Sequence, residues 1–235
     1  MQQLYNVDCL KLLPTLAPDS VDLVLTDPPY SSGGLHATTR KQPPSTKYLE
    51  NGRQNSHDFA HDNKDQRSWC RWCVEWLTEC HRVMKPGAVI AIFIDWRQLP
   101  TLSDAIQMAG FLWQGVAVWD KGNAHSRPRK GGMKQQAEFI VWASKDKLSQ
   151  ERDVYVRGVF NQPKPRGAFH ITAKPVELLE ELVALAGPGG LVLDPFAGGG
   201  STLLAARNTA RPAIGSEIDP TIHQKALHVL ERQTA

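Results

Sequence analysis

Apolar and polar positions fall along this chain in blocks that predict alternating strands and helices. Leu4 to Leu10 reads as a short strand ending near Asp8, followed by a brief helical turn at Lys11 to Leu16 and a Pro18-Asp19-Ser20 loop. Val21, Leu23, Val24 and Leu25 form the apolar run of a buried strand, stopped at Asp27 by two prolines that cannot extend a ladder. The polar stretch 31–68 has no sustained period and reads as a long loop. Trp69, Trp72, Cys73, Trp76, Leu77, Cys80 and Met84 then recur at helical spacing and predict one buried face on a helix from about Gln66 to Met84. Lys85-Pro86-Gly87 stops it. Ala88 to Ile94 is an apolar strand closed by Asp95 and Trp96, and Leu99 to Ala109 a helix closed by Gly110. Phe111 to Trp119 and Ala137 to Ala143 read as strands, and 144–167 as a polar segment. Val176, Leu179, Leu182 and Val183 give one face to a helix at Pro175 to Leu185, which Thr172 can cap. Strands at Leu191 to Leu193 and Ala213 to Ile218, then a helix at Thr221 to Glu231, complete the order.

The chain has 235 residues, of which 41% are hydrophobic, enough for one domain with a substantial core. Its formal net charge of +3 permits nucleic-acid binding without demanding it, so the placement of charge matters more than the total. No apolar run is long enough to span a bilayer and no leader is evident, so the expectation is a cytoplasmic protein with no membrane partner. Four cysteines do not make a disulfide framework at this size. Cys70 and Cys73 have the spacing of a zinc pair, yet no second pair follows, and the helical apolar face accounts for the same residues.

Candidate chemistry gathers where two strands end in an acid. Asp27-Pro28-Pro29-Tyr30 offers a carboxylate, a rigid turn whose Pro28 carbonyl has no N–H of its own beside it, and an aromatic ring. Asp27 and the Pro28 carbonyl can both accept from one amino group, with Tyr30 against the ring that bears it; a strand-ending turn with a partly buried tyrosine explains the same four residues. The second turn, Asp194-Pro195-Phe196 with glycines 198 to 200, leads into a helix starting near Ser201. Such a turn lets backbone approach a ligand, offers N–H groups to a carboxylate and sets Asp194 to pair with an ammonium. Glu217 ends the next strand, where an acid accepts ribose hydroxyls in nucleotide-binding folds generally, nicotinamide dehydrogenases included.

D-P-P-Y at 27–30 together with L-V-L-D-P-F-A-G-G-G-S-T at 191–202 resembles the amino-methyltransferases that use S-adenosyl-L-methionine to methylate adenine N6 or cytosine N4 in DNA. The order, catalytic motif first and cofactor loop last, is that of their β group. F-H-I-T-A-K-P at 169–175 resembles the segment preceding the cofactor loop in that group. The family's usual G-S-G-T-T is replaced here by G-G-G-S-T. The resemblance implies a Rossmann-like, mostly parallel, seven-stranded α/β sheet with circularly permuted motif order. It implies Asp27, Pro28, Pro29 and Tyr30 as catalytic residues. For the cofactor it implies Asp8, His170, Thr172, Lys174, Asp194, Pro195, Phe196, Gly198, Gly200, Ser201, Thr202 and Glu217.

If the two acidic turns adjoin, the chain termini lie close together. The expected activity is methyl transfer to adenine N6 of a flipped base, because D-P-P-Y in the family goes mostly with N6 and S-P-P-Y with N4. An N4-cytosine methyltransferase, a non-catalytic DNA-binding relative and an RNA methyltransferase are the alternatives. The expected chemistry needs no metal. The expected organisation is a single domain, 1–235, with insertions at 31–68, over the active site, and 120–168, a basic loop and short target-recognition region. Lys121, Arg127, Arg129, Lys130 and Lys134, with no acid after Asp120, are the candidate contacts to duplex DNA, and the protein is expected at the nucleoid.

Overall fold

The run V-D-L-V-L-T at 21–26 is buried at every position but Asp22, as a strand covered on both faces by helices is. The computed structural model describes residues 1–30, 64–122, 130–150, 153–163 and 174–232. The strands are β1 (Gln2–Tyr5), β2 (Val21–Thr26), β3 (Met84–Ile94), β4 (Leu112–Asp120), β5 (Ala137–Ser144), β6 (Val159–Asn161), β7 (Val192–Asp194) and β8 (Ala213–Ser216). The helices are α1 (Cys9–Leu12), α2 (Gln66–Val83), α3 (Leu99–Met108), α4 (Val176–Val183), α5 (Ser201–Asn208) and α6 (Pro220–Arg232).

Among the described residues the strands form one sheet in the order β1-β8-β7-β2-β3-β5-β4-β6. β5 runs against its neighbours β3 and β4, and every other pairing is parallel. This is the mostly parallel architecture expected, with eight strands in place of seven. The additional strand β6 has three residues in an exposed–buried–exposed pattern, too short a run to stand out of the polar segment around it.

Successive residues of a strand face opposite sides, and the two cores divide accordingly. Val24, Ile90, Ile92, Ile94 and Leu193 pack with the tryptophans of α2 and with Leu102, Ala105 and Ile106 of α3. Leu23, Leu25, Val89, Ala91, Phe93 and Val192 pack with Leu178, Leu179 and Leu182 of α4 and Leu203 of α5. Chain order reverses between β2 and β7, so their carboxyl ends flank the crevice where open α/β sheets take ligands.

β1 pairs with β8, Gln2 opposite Ala213, and the Leu4 carbonyl lies 3.2 Å from His223 Nε2 of α6. The last strand and helix thus adjoin the first strand, as the permuted order requires. α2 starts where the Asp65 carboxylate accepts from the Arg67 and Ser68 N–H groups, 3.0 and 3.1 Å away. Its buried residues include Trp69, Trp72, Cys73, Trp76, Leu77 and Cys80, the face the spacing predicts. Residues 31–63 of the expected loop 31–68 lie outside the described residues, and so do 123–129, 151–152 and 164–168 of the expected insertion 120–168. No helix among the described residues is long and apolar enough to cross a membrane.

Candidate active site

β2 and β7 pair in parallel register, Leu23 opposite Val192 and Val24 opposite Leu193, which brings the two acidic turns side by side. Thr26 Oγ1, the last group of β2, donates to Asp194 Oδ1 across 2.6 Å. The same carboxylate oxygen accepts the Phe196 N–H at 3.1 Å, and the Thr202 hydroxyl adds a third bond. Asp194 is only 3% exposed, and burial pushes its carboxyl up to about 6 against those three donors.

The glycine turn is braced from β8 as well. Ser216 Oγ donates to the Pro195 carbonyl (2.7 Å), and Glu217 Oε2 accepts the Gly198 N–H (3.0 Å). The other oxygen of Glu217 accepts the Asp219 N–H (2.8 Å), so each keeps a lone pair for a further donor. Burial raises the Glu217 pKa too. Gly200 has φ +82° at the start of α5, and a Cβ there would lie 3.3 Å from Ala226 Cβ, so glycine serves both the turn and the approach of α6. Ser201 and the buried Thr202 begin α5, whose first N–H groups face the crevice end of the sheet.

The Asp27–Tyr30 turn is held from two helices. Trp69 Nε1 of α2 donates to the Pro29 carbonyl (2.7 Å), and Gln98 Nε2, just ahead of α3, donates to the Tyr30 carbonyl (3.0 Å). The Tyr30 hydroxyl donates to Asp27 Oδ1. Among the described residues no donor is paired with the Pro28 carbonyl, which leaves an acceptor beside Asp27. Trp72 and Trp76, on the same face of α2 as Trp69, pack their rings on Phe196 at 5.4 and 5.2 Å between centroids. One helix therefore supports both turns.

A buried charge network reaches Asp27 from the opposite face. Lys174, 7% exposed, pairs with Asp27 Oδ2; Glu138 Oε2 of β5 lies 3.4 Å from the same ammonium, and Glu138 Oε1 accepts from Lys121 Nζ at 2.9 Å. The Lys174 ammonium also sits 5.0 Å from the Phe93 ring centre. Burial opposes its charge, but Asp27 and Glu138 outweigh burial and raise its pKa. Burial likewise opposes the Glu138 charge, and Lys174 and Lys121 hold its carboxyl below the ordinary range. For Asp27 burial prevails over Lys174, Glu138 adds to it, and the carboxyl titrates above its ordinary range. Burial and the Asp27 charge push the Tyr30 phenol well up.

The remaining expected residues take the following places. Asp8 accepts the Leu10 N–H (2.9 Å) on one carboxylate oxygen as the cap of α1. Lys174, immediately before the Pro175 cap of α4, is paired with Asp27 of the 27–30 turn. The α4 cap is Pro175, with no side-chain bond, and Thr172 lies outside the described residues. Lys121 pairs with Glu138 Oε1 at 2.9 Å and is half-buried, so its ammonium is engaged within the network beside Asp27. Lys130 is exposed and Lys134 half-buried. His170, Thr172, Arg127 and Arg129 lie outside the described residues. Cys73 and Cys80 are buried in the α2 face, and no group of three potential metal ligands occurs among the described residues. Thr26, Trp69, Gln98 and Glu138 were not singled out by the sequence; the available signal was Glu138, an acid within an otherwise apolar strand.

A Rossmann-like sheet with an acid–proline turn on each side of its switch point has both turns at the place where open α/β sheets take ligands. Residues 21–228 match the DNA methylase family of N6 and N4 methyltransferases, and the chain belongs to that family. It is 27% identical to the type II methyltransferase M.HpaI of Haemophilus parainfluenzae, over 99% of this chain and 75% of that protein. It is 26% identical to the type II methyltransferase M2.LlaDCHI of Lactococcus lactis subsp. cremoris, over 90% of this chain and 82% of that one. The fold is similar to a crystal structure of an M1.HpyAVI–SAM complex, with TM-score 0.71, 24% identity and coverage of 98% and 100% of the two chains. It is also similar to the cytosine-N4-specific PvuII DNA methyltransferase, with TM-score 0.74, 18% identity and coverage of 96% and 85%.

Proposed function

We propose that this protein transfers a methyl group from S-adenosyl-L-methionine to adenine N6 of a base flipped out of duplex DNA. The observation that carries this reading is the Thr26–Asp194 bond, which sets the Asp27 turn and the glycine turn into one crevice. The glycine turn fits the cofactor: the α5 N–H groups suit a carboxylate, Asp194 an ammonium, and the outer lone pairs of Glu217 a ribose hydroxyl. When bound, the cofactor supplies a methyl group on an electrophilic sulfonium sulfur.

An exocyclic amine is a poor nucleophile because its lone pair is shared with the ring. Asp27 and the open Pro28 carbonyl accept its two hydrogens, draw electron density onto nitrogen and aim it at the methyl group. With the cofactor bound, the methyl group would be supplied to the amine nitrogen with the sulfur as leaving group, and Asp27 would take the proton shed by nitrogen and pass it to solvent. Pro28 and Pro29 keep the carbonyl fixed, and Tyr30 offers the aromatic surface for the flipped base. Lys130 and Lys134, with Arg127 and Arg129 of the same connection, meet phosphates. Adenine is favoured over cytosine by the acid at the first position of the motif.

Nucleoside mass spectrometry on unmethylated duplex DNA incubated with protein and cofactor tests this reading. N6-methyladenine is the expected product. N4-methylcytosine overturns the choice of base, and no methylated nucleoside overturns the activity.

A further inference from the structure

Asp27 is already occupied: the Tyr30 hydroxyl lies on one carboxylate oxygen and the Lys174 ammonium on the other. A substrate amine needs the site that a lysine nitrogen now fills. Lys174 has three donors, and its bond to Asp27 uses one. Glu138 Oε2 is buried and pairs with the same ammonium at 3.4 Å, longer than a close hydrogen bond, with no other donor among the described residues. A buried carboxylate oxygen held only by a long ion pair gains from a closer donor, so the network holds an acceptor ready for Lys174 a fraction of an ångström away.

We infer that Lys174 is a positioning residue that stands in for the substrate amine at Asp27 and is handed to Glu138 when the base enters. The inference rests on the reading of Asp27 as the amine acceptor. In the empty site Lys174 keeps the Asp27 carboxylate aimed into the crevice and compensates its charge. On base entry Lys174 completes its bond to Glu138 Oε2, and Asp27 Oδ2 passes to the base. Lys121 fixes Glu138 from the far side through Oε1, so Glu138 waits in place. Among the described residues, the charged and titratable groups facing Asp27 are then Lys174 and Glu138 from one side, Tyr30 within its own turn and Asp194 beyond Thr26.

The test uses the full chain with Glu138→Gln, Lys174→Met, and the two combined, each checked for folding by thermal melting. Glu138→Gln keeps the volume, removes the charge that draws Lys174 away, and leaves lysine competing with the base. Methyl transfer is expected to fall about tenfold with cofactor affinity within about twofold of the parent. Removing the competitor from that background restores activity: the double variant is expected to exceed Glu138→Gln by about threefold or more. Losses that merely add, or a collapse of cofactor affinity in Lys174→Met, overturn the handover. Carboxyl NMR gives an activity-independent readout: Asp27 is expected to titrate at higher pH in Lys174→Met than in the parent, and an unmoved Asp27 overturns the pairing. A parent protein that makes no methylated DNA defeats the functional reading, while the carboxyl titration still decides the lysine's role.

Discussion

Thr26 and Asp194 stand 168 positions apart in sequence and share a buried 2.6 Å hydrogen bond. This bond joins the last residue of β2 to the last residue of β7, so the turn that would hold the acceptor amine is indexed to the turn that would hold the methyl donor. Thr26→Val removes the donor and keeps the shape. A hydrogen bond to a charged group contributes about 1.5–3 kcal/mol, and stability is expected to fall by about 2 kcal/mol. Denaturant unfolding measures the loss, and calorimetry is expected to find cofactor binding weakened in the same variant.

The two strands and their terminal acids were legible in the sequence, because an apolar run stopped by an acid and proline leaves little choice about where a strand ends. Their contact was inferable only from motif order, since nothing local in L-V-L-T-D or L-V-L-D specifies a neighbour. Trp69 was legible as a core residue but not as a donor to Pro29, because helical spacing reports burial and not what an indole N–H meets. Lys174 was attached to the cofactor by resemblance; in the structure it is paired with Asp27. β6 escaped because three residues carry no period.

Trp69 is expected to matter more for catalysis than for folding. Trp69→Phe keeps an aromatic ring in the core and deletes the bond to the Pro29 carbonyl. The stability loss is expected to be about 1–2 kcal/mol, while the rate falls about tenfold as the catalytic turn loosens. Thermal melting beside single-turnover rates separates the two effects. An unchanged rate with lowered stability assigns Trp69 to packing alone.

The raised carboxyl of Asp194 sets a pH dependence with a definite sign. Its folded pKa of about 6 lies above the ordinary carboxylate value, so the folded chain binds this proton more readily than the unfolded chain. Its contribution to folding is therefore most favourable below the unfolded pKa and declines as pH rises through the window up to about 6. Cofactor binding runs the other way, because an ammonium favours the ionised acid. Affinity for S-adenosyl-L-methionine is expected to be greatest near pH 7, below the α-amino range of about 7.7–8.0, and to fall about tenfold per pH unit below the Asp194 pKa, more steeply if Glu217 joins. Calorimetry between pH 5 and pH 8, at about one-unit steps, checks it. Affinity that rises towards low pH removes Asp194 from the cofactor site.

Gly200 carries a backbone requirement and a packing requirement at once. Gly200→Ala must hold φ +82° and sets a methyl group 3.3 Å from Ala226 Cβ. A loss of about 1–3 kcal/mol is expected, with weakened cofactor binding, since α5 starts at that residue. Stability and calorimetry on the purified variant report both.

The role of Asp27 is tested most directly by comparing Asp27→Ala with the parent for cofactor affinity and for methyl transfer to duplex DNA. Among the described residues no hydrogen bond of the glycine turn is made to this carboxylate, so the variant is expected to bind S-adenosyl-L-methionine nearly as the parent does and to form no methylated nucleoside. An Asp27→Ala protein that still methylates DNA at an appreciable rate contradicts the account.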